Sequence, residues 1–143
     1  MTSRRTGGAR RTLDLTLLPD VLAVCRLPGG AAAPRWLDGE IFASVTRMPE
    51  ETSVVCRAEV VPPDVRVEAG WRALRVAGPL DFALTGVLLS LLEPLAAAGV
   101  SVFALSTFDT DVVLVHEAAL DGALAALADA GHRVVGAGAP LGS

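Results

Sequence analysis

The chain has 143 residues, and neither lysine nor tyrosine is among them. Without lysine there is no side-chain amine for Schiff-base chemistry and no P-loop lysine to hold nucleotide phosphates, so both classes are excluded. The two cysteines, Cys25 and Cys56, lie far apart inside apolar strand-like runs. That spacing does not suit a metal site and indicates buried free thiols. No metal and no cofactor is expected.

Long hydrophobic runs are also missing. A helix needs about 20 apolar residues to span a bilayer, and the longest apolar run here is broken by Glu93 and Pro94. The N-terminus lacks the apolar core of a signal peptide. We therefore expect a cytoplasmic protein without a membrane segment. Because apolar residues make up 52% of the chain, a core can form, in one compact domain or in two small fused halves.

Charge is unevenly distributed along the chain. Residues 1–11 carry four arginines and no acid, whereas the remainder has eight arginines against sixteen acidic residues. A nucleic-acid role would depend on this arm alone, and the arm has no aromatic residue on which a base could stack. We interpret residues 1–11 as a disordered basic arm and expect no nucleic-acid partner.

The first half of the chain predicts short strands separated by turns. Residues 12–27 read as two strands broken at residues 18–20, a Leu-Pro-Asp turn signal. Residues 41–46 and 52–57 predict two further strands. Residues 34–40 have room for one or two helical turns at most.

From Trp71 the pattern becomes regular. Asp81 is a good N-cap for a helix whose leucines recur at helical spacing, and Gly131 is a good C-terminal stop for a second helix. The predicted elements are a strand at 71–77, a helix from Asp81 to Gly99, a hairpin of strands at 100–106 and 112–116, a helix at 118–130 and a strand at 132–135. This β-α-β-β-α-β order predicts two helices on one face of a four-stranded antiparallel sheet.

A faint internal repeat connects the two halves. The sequence FASVT at residues 42–46 resembles FALST at residues 103–107, and each is followed by an acidic turn and an apolar strand. The first half lacks room for the long helix of the second, so we interpret it as a shortened copy. The predicted fold class is α+β, a ferredoxin-like βαββαβ module fused to that copy. The predicted organisation is the arm at 1–11, a truncated module at 12–68, a complete module at 69–136 and a loose tail at 137–143.

The sharpest functional signal is the polar turn between the two apolar strands of the hairpin. It contains Ser106, Thr107, Asp109, Thr110 and Asp111. A free amino acid needs donors for its carboxylate and acceptors for its ammonium group. Gly78 allows close backbone approach, and a helix beginning near Asp81 offers N–H groups to a carboxylate. Asp109 or Asp111 can accept hydrogen bonds from an ammonium or a guanidinium group.

A structural interpretation stays open for each of these residues. Asp81 is a plain helix cap, and Asp109 and Asp111 suit a hairpin turn. The two aspartates diverge in a tight turn and have no nucleophile nearby, so acid–base catalysis is not indicated. His116 and His132 are interpreted as structural, because neither has an acid–nucleophile arrangement near it in the sequence. No catalytic residue is assigned, and the chain is not expected to be an enzyme.

Several segments together carry a family resemblance. They are Trp71-Arg72-x-Leu74, Gly78-Pro79-Leu80-Asp81-Phe82, Leu95-Ala96-x-Ala98-Gly99-Val100-Ser101, Ser106-Thr107-Phe108-Asp109-Thr110-Asp111 and, in the first half, Phe42-x-Ser44-x-Thr46. They resemble the ACT domain superfamily, most closely its bacterial branch related to the CASTOR arginine sensors. The resemblance extends over residues 13–135 and makes the two halves tandem ACT-like modules.

The resemblance implies regulatory amino-acid binding, with arginine or another polar amino acid as the ligand. It also implies that modules pack side by side, in tandem or as a homodimer, with the ligand between them. In the sensors an acidic residue near the strand turn holds the ligand side chain, which matches Asp109 or Asp111 here. The loop that closes over the ligand matches Gly78 to Phe82. Strand residues of a partner module match Ser44, Val45 and Thr46.

Two functions are therefore predicted from different classes. The first is a regulatory protein that binds a free amino acid at an interface between ACT modules and acts as a homodimer. The alternative is a structural module that has lost its ligand and acts through a protein partner. In the second case, the apolar strand at residues 112–115 and the helix faces would form the interface.

Overall fold

The computed structural model describes residues 12–78 and 86–136, together with the backbone of residues 139–140. The predicted arm at residues 1–11 lies outside these residues. The elements in chain order are β1 (Asp14–Leu17), β2 (Leu22–Pro28), β3 (Ser44–Arg47), β4 (Glu51–Arg57), β5 (Arg66–Val76), α1 (Val87–Ala97), β6 (Val102–Ser106), β7 (Asp111–His116), α2 (Leu120–Asp129), β8 (Arg133–Gly136) and β9 (Ala139–Pro140). No helix in this part of the chain is long and apolar enough to cross a membrane.

The chain divides into two compact units. The N-terminal unit is Asp20–Trp71, and the C-terminal unit combines Met1–Pro19 with Arg72–Ser143. This division differs from the predicted modules at 12–68 and 69–136, because β1 belongs to the C-terminal unit. Leu15 of β1 is opposite Val76 of the antiparallel β5 and Val134 of the parallel β8. The backbone hydrogen bonds of β1 are thus made within the C-terminal unit.

The C-terminal unit has the predicted β-α-β-β-α-β order, from the second part of β5 through α1, β6, β7 and α2 to β8. The α+β fold class is therefore confirmed. Within the sheet, β6 pairs with β7, β7 with β5, β5 with β1, and β1 with β8. The insertion of β1 between β5 and β8 was not predicted. Residues 139–140 pair with β8 where a loose tail was predicted, since that edge of β8 is otherwise open.

The core of the C-terminal unit lies between the two helices and one face of its sheet. Val87, Leu91 and Leu95 recur every fourth residue along α1, so they share one helix face, and all are buried. Their partners are Ala123 and Leu127 from α2 and Leu15, Leu17, Leu74, Val76, Val113 and Val115 from the strands. Full burial of each leucine stabilises the fold by about 1.5–3 kcal/mol.

The prediction that the strand at residues 112–115 forms an interface with a partner protein is wrong. Each side chain from Val112 to Val115 is at most 2% exposed. Because β7 lies between β5 and β6, this strand is part of the core of its unit and has no free apolar face to offer a partner protein.

Helix α1 begins later than the sequence predicted. Its N-cap is Gly86, which has a φ of 77°, and the Oγ of Ser90 donates to the Gly86 carbonyl at 2.7 Å. A left-handed φ interrupts a helix and suits glycine. The predicted start at Asp81 is therefore wrong for this helix, and Asp81 itself lies outside the described residues. Pro94 lies near the C-terminal end of α1, and Gly131 follows α2 with a φ of 95°.

His132 compensates for the proline in α1. Pro94 has no N–H to give to the carbonyl of Ser90, four residues earlier. That carbonyl is instead 2.8 Å from Nε2 of His132, and Nδ1 of His132 accepts the Leu13 N–H at 3.0 Å. Nε2 therefore carries the proton in the neutral ring. This side chain, 6% exposed, connects the chain before β1 to α1 and to the beginning of β8.

We expect His132→Ala to lower the free energy of unfolding by about 2 kcal/mol, because the Leu13 N–H and the Ser90 carbonyl each lose a hydrogen bond. Chemical denaturation measures this loss. In the Pro94→Ala variant, the restored N–H of residue 94 can donate to the Ser90 carbonyl. In that variant, His132→Ala should therefore lower the free energy of unfolding by about 1 kcal/mol less. Strict additivity of the two substitutions would contradict this account.

The N-terminal unit is an antiparallel sheet in the order β3-β4-β2-β5. Residues 20–71 are all described and contain single turns of 3-10 helix at Arg35–Leu37 and Ala58–Val60 but no α-helix. An ion pair holds the segment before β3 on the sheet: Arg57 of β4 donates to both carboxylate oxygens of Glu40 at 2.9 Å. The pair holds the pKa of Glu40 below its usual value.

The core of this unit includes both cysteines. Cys25 and Cys56 are free thiols, each at most 1% exposed, and pack with Ala23, Leu37 and Val54. The predicted buried free thiols are thus confirmed. Burial raises the pKa of Cys56 to about 12 and also raises that of Cys25. The neutral thiol therefore stabilises the fold below the pKa of the unfolded chain, and this contribution decreases as the pH rises toward 12.

The two thiols should resist alkylation in the folded protein. At about pH 8 the thiolate that reacts is scarce in the core and plentiful in an unfolded chain. Mass spectrometry after a short iodoacetamide pulse should find both cysteines unmodified in buffer and modified in urea. Equal labelling in the two conditions would show that these thiols are accessible in the native state.

Candidate functional site

The turn between β6 and β7 is built largely from its own polar groups. The N–H of Thr107 donates to the Thr110 carbonyl at 2.8 Å. The hydroxyl of Thr107 donates to the same carbonyl and accepts the Thr110 N–H, each at 3.1 Å. Thr107 thus fixes the shape of the turn, as a threonine at this position does in many turns.

Asp111 is also committed to the hairpin. Ser106 and Asp111 are directly opposite in the last register pair of β6 and β7. The Oγ of Ser106 donates to Oδ1 of Asp111 at 2.7 Å, a charge-assisted bond across the hairpin. One oxygen of this half-buried carboxylate is therefore occupied before any ligand arrives.

Asp109 is different from Asp111. It lies at the tip of the turn, is exposed, and makes no hydrogen bond or ion pair with the residues that the structure describes. Phe108 beside it is 79% exposed. The tip of the turn therefore presents an available carboxylate next to an aromatic ring, a combination that suits a cationic group.

Thr110 connects this turn to the predicted glycine loop. Its hydroxyl donates at 2.7 Å to the carbonyl of Val76, the last residue of β5. Gly78 follows Val76 closely in the chain and is exposed. The structure thus places the turn beside the start of the loop. Pro79, Leu80, Asp81 and Phe82 lie outside the described residues, so their predicted role in binding stays a prediction.

Ser44, Val45 and Thr46 lie elsewhere, in β3 of the N-terminal unit. Ser44 is opposite Val55 and Thr46 is opposite Ser53, so these two hydroxyls share one face of the sheet. Val45 is opposite Val54 and therefore faces the other side. The three residues cannot act together on one face of this strand.

The arrangement is suited to binding. In residues 12–78 and 86–136 no group of three His, Cys, Asp or Glu side chains could hold a metal ion. The hydroxyl of Thr107 stabilises the turn, and that of Thr110 donates to the Val76 carbonyl of β5. The exposed Asp109 carboxylate is therefore the available charged group of the turn. The sequence did not indicate that the Val76 carbonyl takes part in this site, because every residue has a backbone carbonyl whatever its type. The Ser106–Asp111 contact follows from the hairpin register and could have been predicted from it.

Comparison with known proteins places the fold in a family. A model described as the ACT domain matches residues 66–129, and a model described as an N-terminal domain matches residues 20–64. The crystal structure of protein Atu0741 from Agobacterium tumefaciens has 38% sequence identity and a TM-score of 0.83, over 89% of this chain and 95% of that one. Residues 66–129 thus match the ACT domain, and this match coincides with β5 through α2.

More distant structures share the fold of this chain. VC0802 of Vibrio cholerae, described as a possible transport protein, has a TM-score of 0.68 and 21% identity over 83% of this chain and 90% of that one. Aspartate kinase of Clostridium acetobutylicum has a TM-score of 0.61 and 10% identity, over 88% of this chain and 36% of that enzyme. At these identities the likeness concerns the fold alone.

We expect Thr110→Val to lower the free energy of unfolding by about 1 kcal/mol, because the Val76 carbonyl loses its side-chain donor. Amide hydrogen exchange at Gly78 should accelerate as the base of the loop loosens. Thr46→Val is the matched control, since the structure gives its hydroxyl no partner among the described residues. An equal effect of the two substitutions on exchange at Gly78 would contradict the role of Thr110.

Proposed function

We propose that this protein is a regulatory sensor of a free amino acid, bound at the turn of its ACT module and enclosed by a module of a second copy of the chain. ACT domains are regulatory, and the similar aspartate kinase of Clostridium acetobutylicum is described as an allosteric enzyme. The observation that carries the proposal is the available carboxylate of Asp109 on a turn that Thr110 fastens to the base of a glycine loop.

The geometry favours Asp109 over Asp111 as the selector of the ligand side chain. Asp111 shares its charge with Ser106 across the hairpin. Asp109 has both oxygens available among the described contacts and is beside the exposed ring of Phe108. A guanidinium group can donate two parallel hydrogen bonds to such a carboxylate and stack on the ring. Arginine or another cationic amino acid is therefore the first ligand to test.

The CASTOR-related tandem arrangement is part of this proposal. Among the described residues, β3 pairs with β4 alone in the N-terminal unit, and β6 pairs with β7 alone in the C-terminal unit. Each unit therefore has a hairpin at an edge of its described strands, and the FASVT and FALST segments overlap the outer strands of these hairpins. This correspondence supports two related modules of unequal length.

A homodimer would use such an edge. No described strand pairs with the outer side of β6, so this edge could pair with a strand of another molecule. Symmetric pairing with a second copy would place two turns near one interface. Ligand binding there would stabilise the dimer by mass action, which is how the regulatory signal would arise. We place the protein in the cytoplasm, where its two free thiols remain reduced.

A thermal-shift screen with the twenty amino acids tests the function. We expect at least one cationic or polar amino acid to raise the melting temperature in a concentration-dependent way. Asp109→Asn should weaken its binding by about tenfold, since it removes a charge-assisted pair. Asp111→Asn should weaken it less. Asp64→Asn, an exposed turn aspartate of the N-terminal unit, is the control and should change nothing.

The same screen decides against the proposal if no amino acid stabilises the protein, or if Asp64→Asn weakens binding as much as Asp109→Asn. Absence of stabilisation would favour the alternative of an interaction module without a ligand. Its interface would then have to lie outside residues 112–115, which are buried.

A further inference from the structure

A row of polar side chains crosses the sheet of the N-terminal unit. Arg26 of β2 is directly opposite Arg66 of β5 on one side and Ser53 of β4 on the other. Ser53 is in turn opposite Thr46 of β3. Residues directly opposite in antiparallel strands have side chains on the same face. The oxyanion row, as we call these four residues, therefore lies on one face and contains two adjacent arginines and two adjacent hydroxyls.

The two arginines stand in an unfavourable position relative to each other. Residues directly opposite have Cβ atoms about 4.5–5.5 Å apart, and like charges in such pairs are destabilising. Both side chains are exposed. Nη2 of Arg26 donates to the backbone carbonyl of Glu50 at 3.1 Å, and Arg66 has no hydrogen-bond or ion-pair partner in the described part of the chain. Neither arginine has a carboxylate partner there.

Two other described arginines form ion pairs: Arg57 contacts Glu40 and Glu59, and Arg133 contacts Asp14 at 3.2 Å. The remaining described arginines form no ion pair with described residues, but none of them is directly opposite another arginine in the sheet. The Arg26–Arg66 pair therefore differs by its register, which places two positive charges side by side without a carboxylate between them.

Carboxylates border the oxyanion row without entering it. Glu68 is opposite Val24, in the next row of the same face. Glu51 is opposite Pro28 and accepts the Ser53 hydroxyl at 3.2 Å. Both lie on the same face as the arginines, and neither is within ion-pair distance of Arg26 or Arg66.

We propose that the oxyanion row is a binding site for a phosphate group, separate from the amino-acid site proposed at the Asp109 turn. Two guanidinium groups present planar sets of donors that fit phosphate oxygens, and the bound charge removes the repulsion between them. The hydroxyl of Thr46 adds a neutral donor on the same face. The ligand class is a phosphate monoester or inorganic phosphate.

Isothermal titration calorimetry with inorganic phosphate and with glycerol 3-phosphate, at constant ionic strength in chloride, tests this site. Arg26→Gln and Arg66→Gln should each weaken binding by about tenfold, and Thr46→Val by about threefold. Arg75→Gln removes an exposed arginine from the C-terminal part of β5 and should leave binding unchanged. Tighter binding of glycerol 3-phosphate would identify a phosphorylated metabolite as the ligand, and equal binding would identify the phosphate group itself.

A second readout separates a binding role from a structural one. Without phosphate, Arg66→Gln should raise the melting temperature, because it relieves repulsion from Arg26. Addition of phosphate should raise the melting temperature of Arg66→Gln less than that of the unsubstituted protein. The proposal is overturned if phosphate binds no better than chloride at equal ionic strength, if Arg75→Gln weakens binding equally, or if Arg66→Gln is destabilising without phosphate.

Discussion

The hydrogen bonds of His132 are the contacts on which the C-terminal unit depends. Pro94 leaves the Ser90 carbonyl of α1 without its helical donor, and His132 reaches that carbonyl while its other ring nitrogen accepts the Leu13 N–H. One buried ring therefore holds α1, the approach to β1 and the beginning of β8 in one arrangement. The proline removes one hydrogen bond of the helix, and His132 supplies another donor to the same carbonyl.

The candidate site depends on this arrangement through β1. The N–H of Ala77 donates to the Asp14 carbonyl at 2.8 Å, so β1 fixes the end of β5. The end of β5 supplies the Val76 carbonyl that anchors Thr110 and with it the hairpin turn. Rigid elements thus determine where Asp109 stands, which is the condition for a selective carboxylate at an exposed turn. The glycine at position 78 follows immediately, where the chain leaves the sheet.

Local patterns predicted the elements of this fold well. The leucine spacing predicted α1, and the two apolar runs around an acidic turn predicted the β6–β7 hairpin. The place of β1 could not be predicted, because its pairing with Val134 of β8 joins residues far apart in the sequence. The burial of residues 112–115 was missed for a similar reason. The same apolar sequence can form a central strand or an edge strand, and only the neighbouring strands decide between the two. Within the site, the sequence indicated both aspartates as candidates. The structure shows that Asp111 is opposite Ser106 and accepts its hydroxyl, whereas Asp109 has no such partner among the described residues.

The central claim is that the turn at Asp109 binds a free amino acid. An amide-resolved NMR titration of the protein with arginine, and then with a pool of the other amino acids, tests it most directly. The account predicts saturable shifts of the amides of Phe108, Asp109 and Gly78 that the Asp109→Asn variant largely loses. Absence of any shift at these amides, or shifts confined to residues 20–71, would contradict it.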